Sequence, residues 1–238
     1  MAEQRLLEAE AIAKRFGGFK ALDGISLRVA PGEIVGLLGP NGSGKTTMIN
    51  VISGLLPADD GDVRMDGQRI TAMAAHKRAA LGINRTFQVP KPFHTLTVRQ
   101  NLEVAVPVGE PADLDALLDS VELGTVAKRR AGDLTSIQQK MLDLARALAT
   151  RPRLLLVDEV ASGLNPAELA RIAARLRALA AGGMGLVVVE HLMSFIDQVT
   201  DRVMVMNAGR TIFEGTFRDA AHDPHVVEVF FGTAEKAA

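Results

Sequence analysis

Apolar residues occur along the chain in short unbroken runs, and each run stops at turn residues or at polar side chains. The clearest runs are residues 34–38, 154–157 and 186–189. Runs of four or five apolar residues are typical of strands that are buried on both faces of a parallel sheet. In residues 97–150 the leucines instead recur at helical spacing, and Asn165-Pro166 is typical of a helix start with asparagine as the N-cap. The pattern therefore predicts an α/β fold.

The same pattern predicts how the parts are arranged within one domain of residues 1–238. We expect an α/β core over residues 1–88 and 151–238, with an antiparallel β-subdomain at its start and a helical insertion over residues 89–150. The individual predictions are β-structure over 6–29 with turns at Gly17-Gly18 and Asp23-Gly24, a strand at 61–67, a helix at 71–81, a strand at 83–88 that ends at Gln88, a proline-stiffened loop at 89–93, and a hairpin around Asn207-Ala208-Gly209.

Composition narrows the class of function. The 238 residues carry a net charge of −1, so no basic field attracts nucleic acid, and we expect no nucleic-acid partner. The chain has no cysteine, which excludes disulfides, Cys-based metal sites and thiol nucleophiles. No apolar run approaches the roughly 18 residues of a membrane span, and the first residues lead into no apolar leader segment. Any membrane role is therefore expected to come through a partner.

A glycine-rich segment after the first apolar run carries the strongest chemical signal. It fits the phosphate-binding pattern G-x-x-x-x-G-K-[ST], in the required context of a strand before it and a helix start after it. Backbone N–H groups and the helix dipole favour phosphate oxygens there. We expect Lys45 to reach the β- and γ-phosphates of a nucleotide, and the Thr46 hydroxyl to bind Mg²⁺. The predicted nucleotide-binding residues are Gly39, Pro40, Asn41, Gly42, Ser43, Gly44, Lys45, Thr46 and Thr47.

Two acidic residues and a histidine follow the later apolar runs. Asp158 and Glu159 come directly after residues 154–157. We predict that Asp158 holds Mg²⁺ and that Glu159 polarises the water that attacks the γ-phosphate. His191 follows residues 186–189, where an imidazole could hydrogen-bond the γ-phosphate and orient that water. The alternatives are solvated carboxylates at a strand end and a structural histidine.

Two further side chains have equally plain alternatives. Gln88, before the proline-stiffened loop, could contact Mg²⁺ or the attacking water, or it could be an ordinary polar residue at a strand end. Phe16 could stack on the adenine ring of a nucleotide, or it could be a core residue.

Taken in order along the chain, these features resemble the ATP-binding subunit of an ABC transporter, and within that family the ATPases of importers for branched-chain amino acids, amides and urea. The resemblance spans most of the chain. It implies a P-loop NTPase core, with ATP and Mg²⁺ as cofactors and ATP hydrolysis coupled to transport. The strings that carry the subgroup likeness are Lys14-Arg15-Phe16-Gly17-Gly18, Arg85-Thr86-Phe87-Gln88, Gly163-Leu164-Asn165-Pro166 and Val189-Glu190-His191.

The resemblance also implies partners and a location. ATPase subunits of this family form a head-to-tail dimer, in which the signature sequence of one subunit closes ATP on the phosphate loop of the other. The loop after Gln88 contacts integral-membrane permease subunits, so the chain is expected in the cytoplasm, on the inner face of the cell membrane. Alternative functions are the ATPase of an exporter or of a lipid-extracting system, a soluble ABC ATPase outside transport, and a small-molecule kinase.

The chain departs from this family at the signature, which is Leu-Ser-Gly-Gly-Gln or a close variant. The matching stretch is Leu134-Thr135-Ser136-Ile137-Gln138, in which Thr135, Ser136 and Gln138 are implied to contact the ATP of the partner. Ile137 replaces the last glycine, and its β-branched side chain hinders close approach and disfavours a positive φ. We therefore expect a heterodimer with one active and one weak site rather than a homodimer. The alternative is that the backbone still reaches the phosphate and the Ile137 side chain points away.

Two smaller departures accompany this one. Val160 follows Glu159 where proline is common, and Asn165 stands where the family often has aspartate.

Overall fold

The computed structural model describes residues 5–109 and 112–231. The absence of a leader segment was predicted from the first residues of the chain, and the first four lie outside these ranges. Within the two ranges, no helix combines the length and the apolar character that a membrane crossing requires.

The strands of the described ranges form two sheets. Their bounds are β1 Leu7–Phe16, β2 Phe19–Val29, β3 Ile34–Leu38, β4 Asp60–Met65, β5 Gln68–Arg69, β6 Ile83–Arg85, β7 Leu154–Asp158, β8 Gly185–Val189, β9 Arg202–Asn207 and β10 Arg210–Gly215. The first sheet has the order β2-β1-β4-β5 and is antiparallel. The second has the order β10-β9-β3-β8-β7-β6 and is parallel except for the β9–β10 hairpin. The predicted α/β core with an antiparallel β-subdomain is confirmed.

Helices flank the six-stranded sheet, and three of them form the predicted insertion. The bounds are α1 Lys45–Ser53, α2 Ala75–Ala80, α3 Val98–Ala105, α4 Leu114–Ser120, α5 Ser136–Ala149, α6 Pro166–Ala181, α7 Met193–Val199, α8 Phe217–Ala220 and α9 Pro224–Phe231. The insertion consists of α3, α4 and α5, which lie between β6 and β7 in the chain. Its helices pack around an apolar cluster that includes Val98, Leu118 and Leu142. A cluster of this kind lets the insertion fold against the core as a layer of its own.

The side chains at the helix ends explain where the longer helices begin and stop. Thr97, Thr135 and Asn165 are N-caps of α3, α5 and α6, and each forms a capping box with the residue three positions on. A capping box satisfies N–H groups that have no partner inside the helix. Gly54, with a φ of 78°, ends α1 in the left-handed conformation that favours glycine. The predicted helix start at Asn165-Pro166 is thus confirmed.

The turn predicted at Asp23-Gly24 is wrong, because these residues lie within β2. Ile12 pairs with Ile25 and Ala13 pairs with Asp23, so Gly24 is left over opposite β1. Its φ of 78° is the geometry of a bulge, in which one strand carries an extra residue. Glycine was therefore a correct sign of a backbone irregularity, but the chain continues instead of reversing.

The strand predicted to end at Gln88 stops three residues earlier, at Arg85. The Thr86 N–H still donates to the Leu156 carbonyl at 2.9 Å. The next backbone donor, the Phe87 N–H, turns to the Asp143 carboxylate of α5 at 2.7 Å. A side chain of the insertion thus accepts this backbone N–H, and the strand ends before Gln88.

Two large apolar clusters cover the two faces of the six-stranded sheet. One joins it to α1 and to the antiparallel sheet, through residues such as Leu37, Ile49 and Leu156. The other joins it to α6 and α7, through residues such as Val157 and Leu176. Sheets of this kind bind ligands at the carboxyl ends of their parallel strands. The loops after β3, β7 and β8 meet at that edge and carry the residues described next.

Candidate functional site

The glycine-rich loop connects β3 to α1, and its backbone can be built only with glycine at two positions. Gly39 has a φ of 144°, and a Cβ there would lie 2.2 Å from the Met206 carbonyl oxygen. Gly44 has a φ of 106°, and a Cβ there would lie 2.5 Å from the Ala21 carbonyl oxygen. The β9 end and the β2 strand therefore hold this loop in place, and α1 starts directly behind it with its N–H groups directed into the loop.

Lys45 is buried beneath this loop. Its ammonium donates to the carbonyl oxygens of Gly39 at 2.7 Å and Pro40 at 3.0 Å. Burial lowers the pKa of Lys45, while Glu159 and Asp158 oppose that shift. An ammonium has three donors, so one remains for a ligand. The Ser43 hydroxyl oxygen is buried in the same loop and has no hydrogen-bond partner among the described residues. A desolvated cation and an unpartnered hydroxyl are groups that an anionic phosphate would satisfy.

Glu159 lies between two other predicted site residues. The Gln88 side-chain amide donates to Glu159 Oε2 at 2.7 Å. His191 Nε2 lies 3.2 Å from Glu159 Oε1. The three side chains come from the loops after β6, β7 and β8, so the sheet order brings them together. Their contacts match the arrangement of a general base held by an amide and an imidazole.

Asp158, the last residue of β7, is buried and paired with an arginine. Arg85 Nη2 lies 3.0 Å from Asp158 Oδ2. Burial raises the pKa of Asp158, while the charge of Arg85 opposes the shift. Asp158 Oδ1 has no hydrogen-bond partner that would occupy it among the described residues. Together with the exposed Thr46 hydroxyl and the Gln88 amide, it offers the oxygen ligands that Mg²⁺ prefers, so the donor set fits this metal.

A cavity of about 280 Å³ lies in front of the loop. Its lining includes Phe16, Glu159 and His191, together with residues 41–47. Gln88 and Asp158 are not part of this lining, but Gln88 donates to Glu159 and the charge of Asp158 acts on Lys45. Phe16 is half-exposed, so the alternative of a core residue is wrong, and the Lys14 ammonium lies 5.9 Å from the centre of its ring.

The signature residues lie apart from this cavity. Thr135 caps α5, and its hydroxyl accepts from the Gln138 N–H at 3.3 Å. Ser136 is the first residue of α5 and is exposed. Ile137 follows it in the first helical turn, so its backbone is helical and requires no positive φ. The expected backbone strain at Ile137 is therefore absent, and what remains of that expectation is the bulk of the Ile137 side chain.

Sequence reasoning missed several residues that shape the site. Phe19 pairs with Phe16 across the β1–β2 hairpin and shares the cavity lining. Lys140, on α5, donates to the Glu159 carbonyl at 3.3 Å. Arg85 donates to Asn50 Oδ1 of α1 at 2.6 Å as well as to Asp158. A charged residue inside the predicted strand 83–88 was the available signal for Arg85, because such a side chain needs a partner when it is buried.

Replacing Arg85 with glutamine is expected to lower nucleotide affinity in the presence of Mg²⁺ by roughly tenfold. The reason is that the outer partners of a metal-binding carboxylate fix its orientation. The measurement is the affinity for a fluorescent, non-hydrolysable ATP analogue with Mg²⁺ and with EDTA. Affinity in EDTA should be unchanged. Arg177→Gln is the matched control, because it removes an arginine–aspartate pair, with Asp201, at the far edge of the sheet. Equal losses with Mg²⁺ and with EDTA would argue against a positioning role.

Glu190 makes the stability of the folded protein depend on pH. Glu190 is 3% exposed, and its carboxylate accepts from the Ala161 N–H at 2.6 Å. Burial raises its pKa from 4.5 to about 7, against the effect of the Ala161 and His191 N–H groups. Because the folded state holds the proton more tightly than the unfolded state, stability falls as pH rises through this window.

We therefore expect the Tm of the wild type to fall more than that of Glu190→Gln between about pH 5 and pH 8. Glutamine keeps an acceptor for Ala161 and carries no charge. Differential scanning fluorimetry across this range measures the difference. Parallel curves for the two proteins would mean that Glu190 does not ionise at the expected pH.

Comparisons with known proteins agree with this geometry. The profile of the family described as ABC transporter matches residues 22–162. The chain is 34% identical to the high-affinity branched-chain amino acid transport ATP-binding protein BraF of Pseudomonas aeruginosa, over 96% of this chain and 98% of that protein. It is 34% identical to the probable branched-chain amino acid transport ATP-binding protein LivG of Methanocaldococcus jannaschii, over 95% of this chain and 97% of that protein.

Solved structures show the same likeness. A nucleotide-free ATP-binding cassette from an ABC transporter superposes with a TM-score of 0.87 at 33% identity, covering 96% of this chain and 99% of that one. A dimeric ATP-binding cassette in a post-hydrolysis state with ADP and Pi superposes with a TM-score of 0.80 at 25% identity, covering 89% of this chain and 99% of that one.

Proposed function

The chain belongs to the ABC transporter family of ATP-binding proteins, and on this premise we propose that its ATP hydrolysis powers the import of branched-chain amino acids or similar small solutes. Two observations support the proposal. The relatives BraF and LivG carry that function in their names and match over nearly the full chain. The observation that carries the chemistry is the placement of Glu159 between Gln88 and His191 beside the phosphate loop.

In the proposed reaction, the loop residues bind the nucleotide through N–H groups and the Lys45 ammonium. Glu159 accepts the proton of the attacking water, whose oxygen bonds to the γ-phosphorus while the bond to the β-phosphate oxygen breaks. The charge that develops on the phosphate oxygens faces Lys45 and the imidazole of His191. Bound Mg²⁺ would neutralise part of that charge, held by Thr46, Asp158 and Gln88. Phe16 would stack on the base from the rim of the cavity.

We propose a second ATP-binding subunit and a membrane permease as partners. The dimeric cassette among the structural relatives supports the pairing of two ATP-binding subunits. The loop after Gln88 exposes Val89 and Phe93, apolar side chains that suit a protein contact. Through this contact the chain would sit on the cytoplasmic face of the membrane. The bulk of Ile137 favours a heterodimer. A second subunit with glycine at this position would close ATP on this chain's phosphate loop better than a copy of this chain would.

Replacing Ile137 with glycine is expected to raise the ATPase activity of the assembled complex several-fold, because the backbone of the signature could then approach the partner's γ-phosphate. Steady-state phosphate release from the purified complex measures this. Glycine also weakens the first turn of α5 by about 1 kcal/mol, so Ile137→Ala serves as a control for helix stability. No change in turnover, or a loss in both variants, would count against a steric block at Ile137.

The proposed transport function is tested by purifying the tagged chain with its membrane partners and measuring ATP-dependent solute movement in vesicles. Uptake of labelled leucine, competed by valine and isoleucine, is the expected result. Leucine movement away from the side of the membrane that carries the ATP-binding subunits would instead favour the alternative of an exporter. Association with no permease would overturn the proposal.

A further inference from the structure

A second cleft, separate from the phosphate loop, lies between the helical insertion and α6. Its volume is about 450 Å³, compared with about 280 Å³ for the cavity at the phosphate loop. The end of α4, the first turns of α5 and one face of α6 line it. Small-molecule sites occupy roughly 300–1,000 Å³, so the cleft has the size of an organic ligand.

Most of the cleft lining is apolar. Met141 and Leu144 of α5 face Ile172 of α6 across it, and Val121 adds a wall from the segment after α4. Ile137 is also part of the lining. Because Ile137 replaces the family's glycine, this part of the wall is a property of this chain. An apolar lining of this kind favours a ligand with a hydrocarbon body.

Among the residues that the structure describes, one of the two arginines in the cleft lining is paired and the other is not. Arg171 is paired with Glu122 at 3.2 Å. Glu168 accepts from the Asn165 N–H at 2.8 Å and is thereby part of the cap of α6. Arg175 also lines the cleft, and within the described ranges no ion pair or hydrogen bond joins its guanidinium to another residue. A guanidinium with unsatisfied donors recognises a carboxylate or a similar planar anion.

We propose that this cleft binds a short aliphatic carboxylate, with the carboxylate on Arg175 and the hydrocarbon body against Met141, Leu144 and Ile172. Such a ligand pairs with the Arg175 guanidinium at the cleft wall and removes apolar surface from water. It also contacts the start of α5, where Thr135 and Gln138 belong to the same lining. Occupancy therefore acts on the helix that carries the signature. The proposal goes beyond ATP hydrolysis and does not depend on which solute the transporter carries.

The test is direct binding of 4-methylpentanoate to the purified full-length chain, by isothermal titration calorimetry and by the rise in Tm that accompanies binding to the folded state. Saturable binding in the millimolar range or tighter is expected. Its neutral analogue, 4-methylpentanamide, should bind roughly tenfold more weakly or worse, because a hydrogen bond to a charged group is lost. Absence of binding at millimolar concentrations, or equal binding of acid and amide, would overturn the proposal.

Two variants assign the binding to this cleft. Arg175→Gln should weaken binding of 4-methylpentanoate roughly tenfold or more. Arg177→Gln, two residues further along α6, is the matched control, since Arg177 pairs with Asp201 outside the cleft. Binding that is equal in both variants and in the wild type would place the ligand elsewhere. Should Arg175→Gln not fold, Arg175→Met keeps the aliphatic stem without a donor and answers the same question.

Discussion

Replacing Glu159 with glutamine is expected to lower ATP turnover by roughly 10²–10⁴-fold, the usual contribution of a positioned general base. The geometry gives the reason. Glu159 is held on one oxygen by Gln88 at 2.7 Å and on the other by His191 at 3.2 Å, in front of the phosphate loop. Glutamine has nearly the same shape and can accept no proton. Phosphate release under saturating Mg²⁺ and ATP measures the change.

ATP binding shows whether the Glu159→Gln protein has lost only its general base or has a damaged nucleotide site. The Glu159→Gln protein should bind a fluorescent ATP analogue as tightly as the wild type, because Lys45 and the loop N–H groups are unchanged. Glu103→Gln is the matched control, since it makes the same chemical change on the exposed surface of α3, where Glu103 pairs with Arg99 at 3.4 Å. Turnover close to that of the wild type in Glu159→Gln would remove Glu159 from the role of general base.

Replacing Lys45 with alanine is expected to lower nucleotide affinity by roughly 10–100-fold. The Lys45 ammonium has one donor left for the phosphates, a charge-assisted hydrogen bond is worth about 1.5–3 kcal/mol, and about 1.4 kcal/mol corresponds to a factor of ten. Burial lowers the pKa of Lys45, so the charged form of this side chain is destabilised in the folded protein. We therefore expect the loss of Lys45 to leave the Tm of the nucleotide-free protein unchanged or slightly raised.

Calorimetric titration with ATP and Mg²⁺ measures the loss of affinity. Lys77→Ala is the matched control, because Lys77 lies exposed on α2, away from the cavity. Affinity that stays within a few-fold of the wild type in Lys45→Ala would contradict the role of Lys45 at the phosphates. A large fall in Tm would instead indicate that Lys45 mainly stabilises the loop through Gly39 and Pro40.

The parts of the site that sequence could predict are those whose geometry is local. The phosphate loop needs only one strand, one turn and one helix start, and all of these lie within residues 34–53. The contact of Gln88 with Glu159 joins residues 71 positions apart; the sequence predicted each of them near the attacking water, but not that they touch. The ion pair of Arg85 with Asp158 joins residues 73 positions apart, and neither segment contains a pattern that identifies the other as its partner.

The errors in the predicted elements have a similar cause. The strand expected to reach Gln88 stops early because Asp143, from a distant helix, takes the Phe87 N–H. At Gly24, the bulge in β2 depends on the register with β1, which the local pattern of residues does not specify. In both places a long-range contact overrides a correct local signal.

In the proposed function, ATP hydrolysed at this chain's own phosphate loop drives solute across a membrane. The most direct measurement is uptake of labelled leucine into vesicles that contain the chain together with its partner ATPase and permease, with wild-type chain or with Glu159→Gln. We predict ATP-dependent uptake with the wild type and none with Glu159→Gln, although both complexes bind ATP. Equal uptake by the two complexes would contradict the account, because transport would then be powered without hydrolysis at Glu159.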